Sequence, residues 1–280
     1  MIIVLLAVLG LVFGSFVNAF VWRLHEQEVL RGKKKQPSKK QLKKLSILKG
    51  RSMCPHCKHE LRASDLVPLF SWLSLRGKCR YCHKPISAQY PVVEATTAVL
   101  FALSYVWWPL SLHGVGLVQL IFWLGFVIMF VALAVYDIKW FLLPNKVVYP
   151  LIGLATVEVL VVAITNHAPH TLLDAGLGAL VISGVFYILF QVSGGAWIGG
   201  GDVKLAVVLG LLAATPLKAL LIIFFASVVG TICSIPMLLK GKKGLQMRVP
   251  FGPFLLVATA IVVLFGDSVV HWYTRTLLGA

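Results

Sequence analysis

Two closely spaced pairs of cysteines form the first pattern in the chain that could carry chemistry. Cys54 and Cys57 form one C-x-x-C pair, and Cys79 and Cys82 form a second after 21 intervening residues. Two such pairs can hold one zinc ion with four thiolates, which fill a tetrahedral site and leave no position for water. The spacing therefore predicts a structural zinc site. Two disulfides or free thiols are the alternatives, and a cytoplasmic location argues against disulfides.

Two carboxylates form the second pattern. Asp137 ends a long apolar stretch, and Asp202 directly follows the glycine run 199–201. Facing carboxylates in a poorly solvated place titrate as a unit, so that one can activate a water while the other polarises a scissile carbonyl. Glycines at such a site permit close approach of a peptide backbone. The alternatives are that Asp202 caps a helix and that Asp137 pairs with Lys139 or Lys146.

The remaining acidic residues are weaker candidates. Glu94 lies near the start of an apolar segment, where it would orient the site, bind a substrate amine or reach water, and a supporting role is favoured over catalysis. Glu158 lies within an apolar segment and would pair across helices or reach the interface. The others are expected in water or near segment ends: Glu26, Glu28, Glu60, Asp65, Asp174 and Asp267.

Apolar segments must position these groups, because the chain has 280 residues of which 59% are hydrophobic. A membrane helix needs about 20 apolar residues. Eight windows qualify: about 2–22, 91–110, 115–136, 147–164, 172–192, 203–214, 217–239 and 251–272. The first is expected to be a retained anchor, and the sixth is short enough to be re-entrant. The predicted fold class is an all-α polytopic membrane protein with about eight transmembrane helices and a small cytoplasmic zinc-ribbon-like insert.

The basic residues predict the orientation. Residues 23–89 hold 17 of the 26 Lys and Arg, so the net charge of +16 indicates a basic insert rather than a nucleic-acid-binding domain. With eight spans and both termini outside, 24 of the 26 face the cytoplasm, as the positive-inside rule requires. If the sixth window did not cross, a basic cluster would lie outside: Lys240, Lys242, Lys243 and Arg248. This topology places Asp137 and Asp202 at one depth on the cytoplasmic face.

Three regions follow from this topology. Residues 1–22 form the first transmembrane helix, residues 23–89 a basic cytoplasmic insert, and residues 90–280 a membrane core of seven helices. Within the insert, residues 31–51 are rich in lysine and are expected to meet anionic lipid headgroups, or alternatively a specific acidic partner. Residues 41–49 are compatible with a short amphipathic helix, because leucines recur every third residue.

The chain resembles the type IV prepilin peptidases, a family of membrane aspartic proteases with a G-x-G-D motif. The resemblance covers nearly the whole chain. Its motifs are Gly14–Asn18 followed by Arg23-Leu24; the stretch from Asp65 through Ser71–Leu73, Leu75–Arg80 and Tyr90-Pro91 to Glu94; Asp137 with Pro144 seven residues later; Gly199–Asp202 followed by Lys204; and Pro250–Phe254.

This resemblance implies a function. Family members remove the short basic leader of type IV prepilins or pseudopilins at the cytoplasmic face of the bacterial inner membrane, and many then methylate the new N-terminus with S-adenosylmethionine. It implies that Asp137 and Asp202 are catalytic, with a supporting or substrate-binding role for a second set: Glu94, Pro144, Gly199, Gly201 and Lys204. For methylation it suggests only Glu94 and Asn18. The lysine-rich segment 31–51 has no counterpart in the family pattern.

A transporter or channel that uses intramembrane carboxylates is the alternative from another class, since broken helices with glycine-rich entrances occur in transporters. Against it, Asp137 and Asp202 are expected on one face and no ladder of carboxylates crosses the membrane. A second alternative is a G-x-G-D protease with other substrates, such as presenilin-like or preflagellin enzymes. The paired cysteines and the stretch from Arg76 to Glu94 favour the prepilin type.

Overall fold

The fold is almost entirely helical, as the sequence predicts. A computed structural model describes residues 1–32, 38, 45–47, 50–240 and 249–277. The helices are α1 (Ile2–Arg31), α2 (Phe70–Ser74), α3 (Gln89–Val106), α4 (Val115–Trp140), α5 (Asn145–Thr165), α6 (His170–Val192), α7 (Gly200–Ala213), α8 (Pro216–Lys240) and α9 (Gly252–Leu277), with a 3-10 turn at Ala63–Asp65. Strand pairing in these residues is limited to two isolated bridges.

Two of the sequence-based expectations fall largely outside the described residues. The amphipathic helix expected at 41–49 is described only at residues 45–47, and the basic cluster that orients the sixth window is described only at Lys240. The described part of the chain therefore leaves both as predictions.

Within the described part of the chain, six helices are long and apolar enough to cross a membrane, namely α1, α4, α5, α6, α8 and α9. The other two predicted windows coincide with α3 and α7. Helix α3 has 18 residues and begins with polar Gln89, while α7 has only 14. At 1.5 Å per residue, α7 is about 21 Å long, which is less than the roughly 30 Å of bilayer hydrocarbon. Six candidate spans are thus observed, and the total of eight remains a prediction.

Residues 1–106 and 127–135 form one compact unit, in which α1 and α3 pack through small residues. A Cβ added to Gly10 would lie 2.6 Å from Ala98 Cα, and one added to Gly14 would lie 2.6 Å from Glu94 Cα. Only glycine allows the two backbones to approach so closely, as in other membrane helix pairs with a G-x-x-x-G seam. The order of these contacts makes the pair antiparallel.

Residues 107–126 and 136–280 form the second unit, which is organised around α7. This short helix contacts α5, α6, α8 and α9, and Leu205 and Leu209 are fully buried in it. A Cβ at Gly210 would meet Ala179 Cα of α6 at 2.4 Å, so glycine is required for this packing as well. Because other helices enclose α7, its short length is compatible with a core helix of this unit.

Candidate active site and metal centre

The two cysteine pairs lie in two copies of one loop. In each copy the N–H of the first cysteine donates to the carbonyl five residues later, from Cys54 to His59 and from Cys79 to Lys84, both at 2.9 Å. An isolated antiparallel bridge closes each loop, between Met53 and Glu60 and between Lys78 and Pro85. The loops correspond residue by residue at an offset of 25 positions, an internal repeat that the sequence analysis missed.

The same backbone conformation recurs at the fourth residue after each first cysteine. Lys58 has φ of 59° and His83 has φ of 54°, both in the left-handed region that favours glycine. The N–H of each residue donates to the carbonyl of its first cysteine, Cys54 or Cys79, at 2.9 Å. The two loops therefore share one backbone conformation, and together they can surround one ion.

The four sulfur atoms lie close enough together to bind one metal ion. All lie within 4.8 Å of one another, and Cys54 Sγ is 3.8 Å from Cys82 Sγ. Four sulfurs bound at about 2.3 Å to a tetrahedral zinc ion are about 3.8 Å apart, so the cluster fits the metal. All four are free thiols, which excludes the disulfide alternative in this conformation. Burial opposes ionisation of Cys54, but hydrogen bonds from the backbone of Cys57 and His56 lower its pKa to about 7.

Asp65 joins the two loops to the chain that runs between them. Its carboxylate, 3% exposed, accepts hydrogen bonds from Arg80 Nε at 2.7 Å, Tyr81 Oη at 3.1 Å and the Arg62 N–H at 3.2 Å. Burial raises the pKa of Asp65, but these three donors outweigh it and hold the pKa below its usual range. The His59 and Tyr81 rings, one from each loop, lie 3.7 Å apart between centroids. Asp65 is thus a structural carboxylate rather than a solvated one.

Asp137 lies in the last turn of α4 and is buried, with 6% of its surface exposed. The helix ends at Phe141, whose N–H donates to the Asp137 carbonyl at 2.8 Å. The Gly252 N–H, at the start of α9, donates to the Asp137 carboxylate. A Cβ at position 252 would lie 2.6 Å from Asp137 Oδ2, so only glycine leaves room for this carboxylate. Lys139 lies over the Trp140 ring, 5.4 Å from its centroid.

Asp202 lies in the first turn of α7, after the glycine run. Its Oδ2 accepts a hydrogen bond from the Gly199 N–H at 3.3 Å, so Asp202 contributes to the cap from the third residue of the helix, while Gly199 is the N-cap. The carboxylates of Asp137 and Asp202 also lie close enough to repel each other. Capping and pairing are compatible, because one carboxylate has enough lone pairs for both. The second unit therefore brings together the two aspartates that the sequence analysis singles out.

The connection between α4 and α5 closes one side of this pair. A Cβ at Gly201 would lie 3.0 Å from Leu143 Cβ, and one at Gly252 would lie 3.7 Å from Leu143 Cδ2. Pro144 is the N-cap of α5. Leu143, which no sequence pattern indicated, thus lies against both glycines that flank the aspartates. A residue of this kind can be found only from the packing, since nothing distinguishes it from other leucines.

Lys204 holds the start of α7 to the start of α5. Its Nζ donates to Asn145 Oδ1 at 3.0 Å and lies over the Tyr149 ring, 5.4 Å from the centroid. Because Lys204 follows Asp202 by two residues, this contact fixes the helix end that carries the second carboxylate. Asn145 was not among the sequence-based candidates.

Glu94 and Asn18 lie in the first unit, where both have partners. Glu94 Oε2 accepts a hydrogen bond from the Leu69 N–H at 2.8 Å, and its carboxylate also bonds with the Ser15 side chain. Asn18 Nδ2 donates to the Tyr90 carbonyl at 3.1 Å. Both side chains are buried, at 7% and 3% exposure. They link α1, α3 and the insert.

The remaining intramembrane candidates are separate features. Glu158 has one buried carboxylate oxygen without a hydrogen-bond partner, in α5. Asp267 of α9 forms an ion pair with Lys218 of α8 at 2.6 Å, with the Asp267 side chain 60% exposed. The Asp267 contact supports the structural interpretation that the sequence favoured for it.

Comparison with known proteins identifies relatives for the whole chain. Residues 8–108 match the bacterial peptidase A24 N-terminal domain, and residues 124–235 match the type IV leader peptidase family. A prepilin leader peptidase/N-methyltransferase of Stutzerimonas stutzeri is 32% identical over 275 residues, which are 96% of this chain and 92% of that protein. The enzyme of that name from Xanthomonas campestris is 34% identical, over 95% of this chain and 92% of its own length. A type 4 prepilin-like proteins leader peptide-processing enzyme of Escherichia coli is 34% identical over 90% of both chains. No solved structure matches the chain.

Proposed function

The chain belongs to the type IV leader peptidase family, and from this premise we propose that it is an aspartic endopeptidase that removes the leader peptide of type IV prepilins or pseudopilins, with Asp137 and Asp202 as its catalytic pair. One observation carries the proposal. A buried Asp137, with Gly252 leaving the space beside its carboxylate, lies within electrostatic reach of Asp202. This is the arrangement that water activation by two carboxylates needs, and the transporter alternative has no comparable support.

The proposed reaction divides two roles between the aspartates. The ionised carboxylate takes a proton from a water molecule, and the oxygen of that water bonds to the scissile carbonyl carbon. The protonated partner donates a hydrogen bond to the carbonyl oxygen as negative charge develops there. When the carbon–nitrogen bond breaks, the proton taken from water passes to the leaving amine. The products are the leader with a new carboxylate and the shortened protein with a new amine.

The glycines and Lys204 support this chemistry from outside the pair. Gly199 and Gly201 leave the α7 entrance free of side chains, so that a peptide backbone can approach Asp202. Lys204 and Asn145 keep that helix end in place, and Pro144 sets the start of α5 beside it. These residues act on the position of Asp202 or of the substrate rather than on the reacting bond.

We further propose that zinc binds at Cys54, Cys57, Cys79 and Cys82. The sulfur positions fit a tetrahedral ion, which would join the two loops of this small domain. Four thiolates leave no open coordination position, so this metal would contribute stability and no step of the cleavage reaction.

The names of the relatives also motivate a second activity, N-methylation of the new terminus with S-adenosylmethionine. In that reaction the amine nitrogen bonds to the donor methyl, the carbon–sulfur bond breaks, and a proton leaves the nitrogen. Asn18 and Glu94, the two residues that the family resemblance suggested, already bond to the chain itself. We assign methyl transfer to no side chain.

The location that we propose is the bacterial inner membrane, crossed several times. The excess of basic residues supports a cytoplasmic insert and a cytoplasmic catalytic pair, with both termini outside. Anionic lipids would meet the basic insert. A protease in this orientation would have its catalytic pair near the junction between the basic leader and the apolar segment of a prepilin.

One experiment tests both activities. Purified full-length protein in liposomes is incubated with a synthetic prepilin peptide and S-adenosylmethionine, and the products are weighed by mass spectrometry. Loss of the leader mass reports cleavage, and a further 14 Da, the mass of one CH₂ group, reports methylation. An intact peptide with a folded protein would contradict the proposal.

A further inference from the structure

Ten residues of the insert form a surface that does not suit water. Residues 66–75 read LVPLFSWLSL, without a charged residue. The side chains of Leu66, Val67, Phe70 and Leu73 are all exposed, Phe70 at 69% and Leu73 at 63%. Phe70 and Leu73 lie three residues apart in α2 and so share one face of that helix, and Leu66 and Val67 precede it in the chain. A contiguous exposed apolar patch on a small polar domain marks a contact surface.

The depth of this segment follows from its bond to Glu94. The Leu69 N–H donates to Glu94 Oε2 at 2.8 Å, and the Glu94 carboxylate also bonds with Ser15 of α1. Ser15 lies within the apolar stretch 2–22 of α1, seven residues before Trp22, which is about 10 Å along a helix axis. Leu69 therefore lies beside the apolar part of α1.

Many backbone N–H groups of the segment are paired within the segment. Pro68 has no N–H, and the N–H groups of Phe70, Ser71, Leu73 and Leu75 each donate to a carbonyl within the segment at 2.6–3.1 Å. The N–H of Leu69, where φ is 57° and the turn begins, donates instead to the Glu94 carboxylate at 2.8 Å. An unpaired N–H is unfavourable in hydrocarbon, so these hydrogen bonds favour a turn that enters lipid.

We propose that residues 66–75 form a re-entrant segment that inserts its apolar face into the acyl chains of the adjacent leaflet, with Glu94 as the residue that holds it at that depth. Ten residues are too few to cross a bilayer, so the segment enters and leaves on one side. Continuity with the lipid-facing surface supports this occupant, because Val92 of α3 is also 60% exposed next to the Glu94 turn.

Charges at the two ends of the segment match this placement. Arg62 precedes it, and Arg76 and Lys78 follow it, all with exposed side chains that can reach phosphate headgroups. The nearby Lys58 Nζ lies over the Trp22 ring at 5.6 Å, and tryptophan is typical of the headgroup level. The insert would thus have its metal loops at the interface and its apolar turn below it.

Photocrosslinking in liposomes tests the proposal without any substrate. The full-length protein carries p-benzoylphenylalanine in place of Phe70 or Leu73, and a control carries it in place of Lys84, which is exposed in the second metal loop. After irradiation in phosphatidylethanolamine–phosphatidylglycerol vesicles, we expect a several-fold higher yield of covalent lipid adducts from positions 70 and 73. Equal low yields at all three positions would overturn the insertion.

A prepilin peptide is the alternative occupant of the same surface, and adding it to the vesicles distinguishes peptide binding from lipid insertion. Replacement of the lipid adducts at positions 70 and 73 by peptide adducts would mean that the apolar face binds substrate, and would overturn the proposal. Cleavage activity plays no part in either readout, so a negative result here leaves the catalytic pair untouched.

Two variants of Glu94 test its positioning role. Glu94→Gln keeps an oxygen acceptor for the Leu69 N–H, whereas Glu94→Ala removes it. We expect the lipid adduct yield at position 70 to fall in Glu94→Ala and to be retained in Glu94→Gln, with protein-bound zinc measured in both as a check on folding. Equal yields in the two variants would overturn the role of Glu94. If the alanine variant does not fold, the comparison of positions 70 and 73 with position 84, made in protein that keeps Glu94, still tests the insertion.

Discussion

The cysteine cluster and the aspartate pair are built in opposite ways. Each metal loop is closed by a backbone hydrogen bond between residues five apart. Asp65, in the turn between the two loops, has a buried carboxylate that accepts hydrogen bonds from three donors. The aspartates come from the end of α4 and the start of α7. The space beside the Asp137 carboxylate depends on a third element, since it is left by Gly252, the first residue of α9. One site is local and fully bonded, while the other depends on distant elements.

This difference separates a site that stabilises from a site that reacts. Asp65 is tied by an arginine, a tyrosine and a backbone N–H, and these donors hold its pKa below the usual range. Asp137 and Asp202 each have one backbone donor and face each other's charge. Placing like charges together costs stability, and proteins accept such a cost mainly where function needs it. The comparison predicts that removing charge from the aspartates reduces activity but not folding.

Asp137→Asn and Asp202→Asn have the largest expected effect. Each removes a group that the water-activation step requires, so we expect the rate of leader cleavage to fall by at least about 10³-fold. Because each change also relieves carboxylate repulsion, the thermal midpoint should stay equal or rise. Asp267→Asn is the matched control, since Asp267 pairs with Lys218 outside the site. Full cleavage by either active-site variant, measured by peptide mass, would remove the aspartates from the mechanism.

Gly252→Ala tests whether the space beside Asp137 matters. The new Cβ would lie 2.6 Å from Asp137 Oδ2, so the carboxylate must move and we expect cleavage to fall by about 10- to 100-fold. Gly184→Ala is the control, because nothing lies within 4 Å of a Cβ there. Initial rates on one peptide compare the two. If both variants cleave equally well, the contact between α9 and Asp137 has no catalytic consequence.

Cys79→Ser tests the other side of the comparison. It removes one of four thiolates, so we expect bound zinc and the thermal midpoint of the full protein to fall, while cleavage below that midpoint declines only a few-fold. The metal content is measured by atomic absorption, and Cys233→Ser, in α8 and outside the cluster, serves as the control. A stable zinc-free variant would show that the cluster is not a structural site.

The two sites also differ in how far the sequence predicts them. The four cysteines and most of the helices are predicted because spacing and apolar length are local properties. The roles of Gly252, Leu143 and Asn145 are not, since they arise from contacts between residues far apart in the chain. The repeat is hard to find in the sequence because only three of the eleven aligned positions in 51–61 and 76–86 are identical. Backbone hydrogen bonds, which tolerate most side chains, preserve the loop without preserving its sequence.

The number of spans is where the apolar pattern was least informative. Window 203–214 corresponds to α7, which other helices of its unit enclose. A core helix and a membrane helix are equally apolar, so composition does not distinguish them. The same ambiguity applies to residues 66–75, which lie within the insert that its 17 basic residues predict to face water.

His83→Gly has the smallest expected effect and tests the metal loops without touching a ligand. His83 has φ of 54°, which costs a residue with a side chain about 1 kcal/mol that glycine avoids. Glycine also adds freedom to the unfolded chain, which lowers stability by up to about 1 kcal/mol and offsets this gain. We therefore expect the free energy of unfolding of His83→Gly to change little, with cleavage unchanged. Lys84→Gly is the matched control: its φ is not positive, so the added freedom is not offset and should lower stability by up to about 1 kcal/mol. A smaller loss at position 83 than at position 84, in denaturation of the zinc-loaded protein, would show that the backbone of these loops is preset. Equal losses at the two positions would mean that the left-handed turn is not maintained in solution.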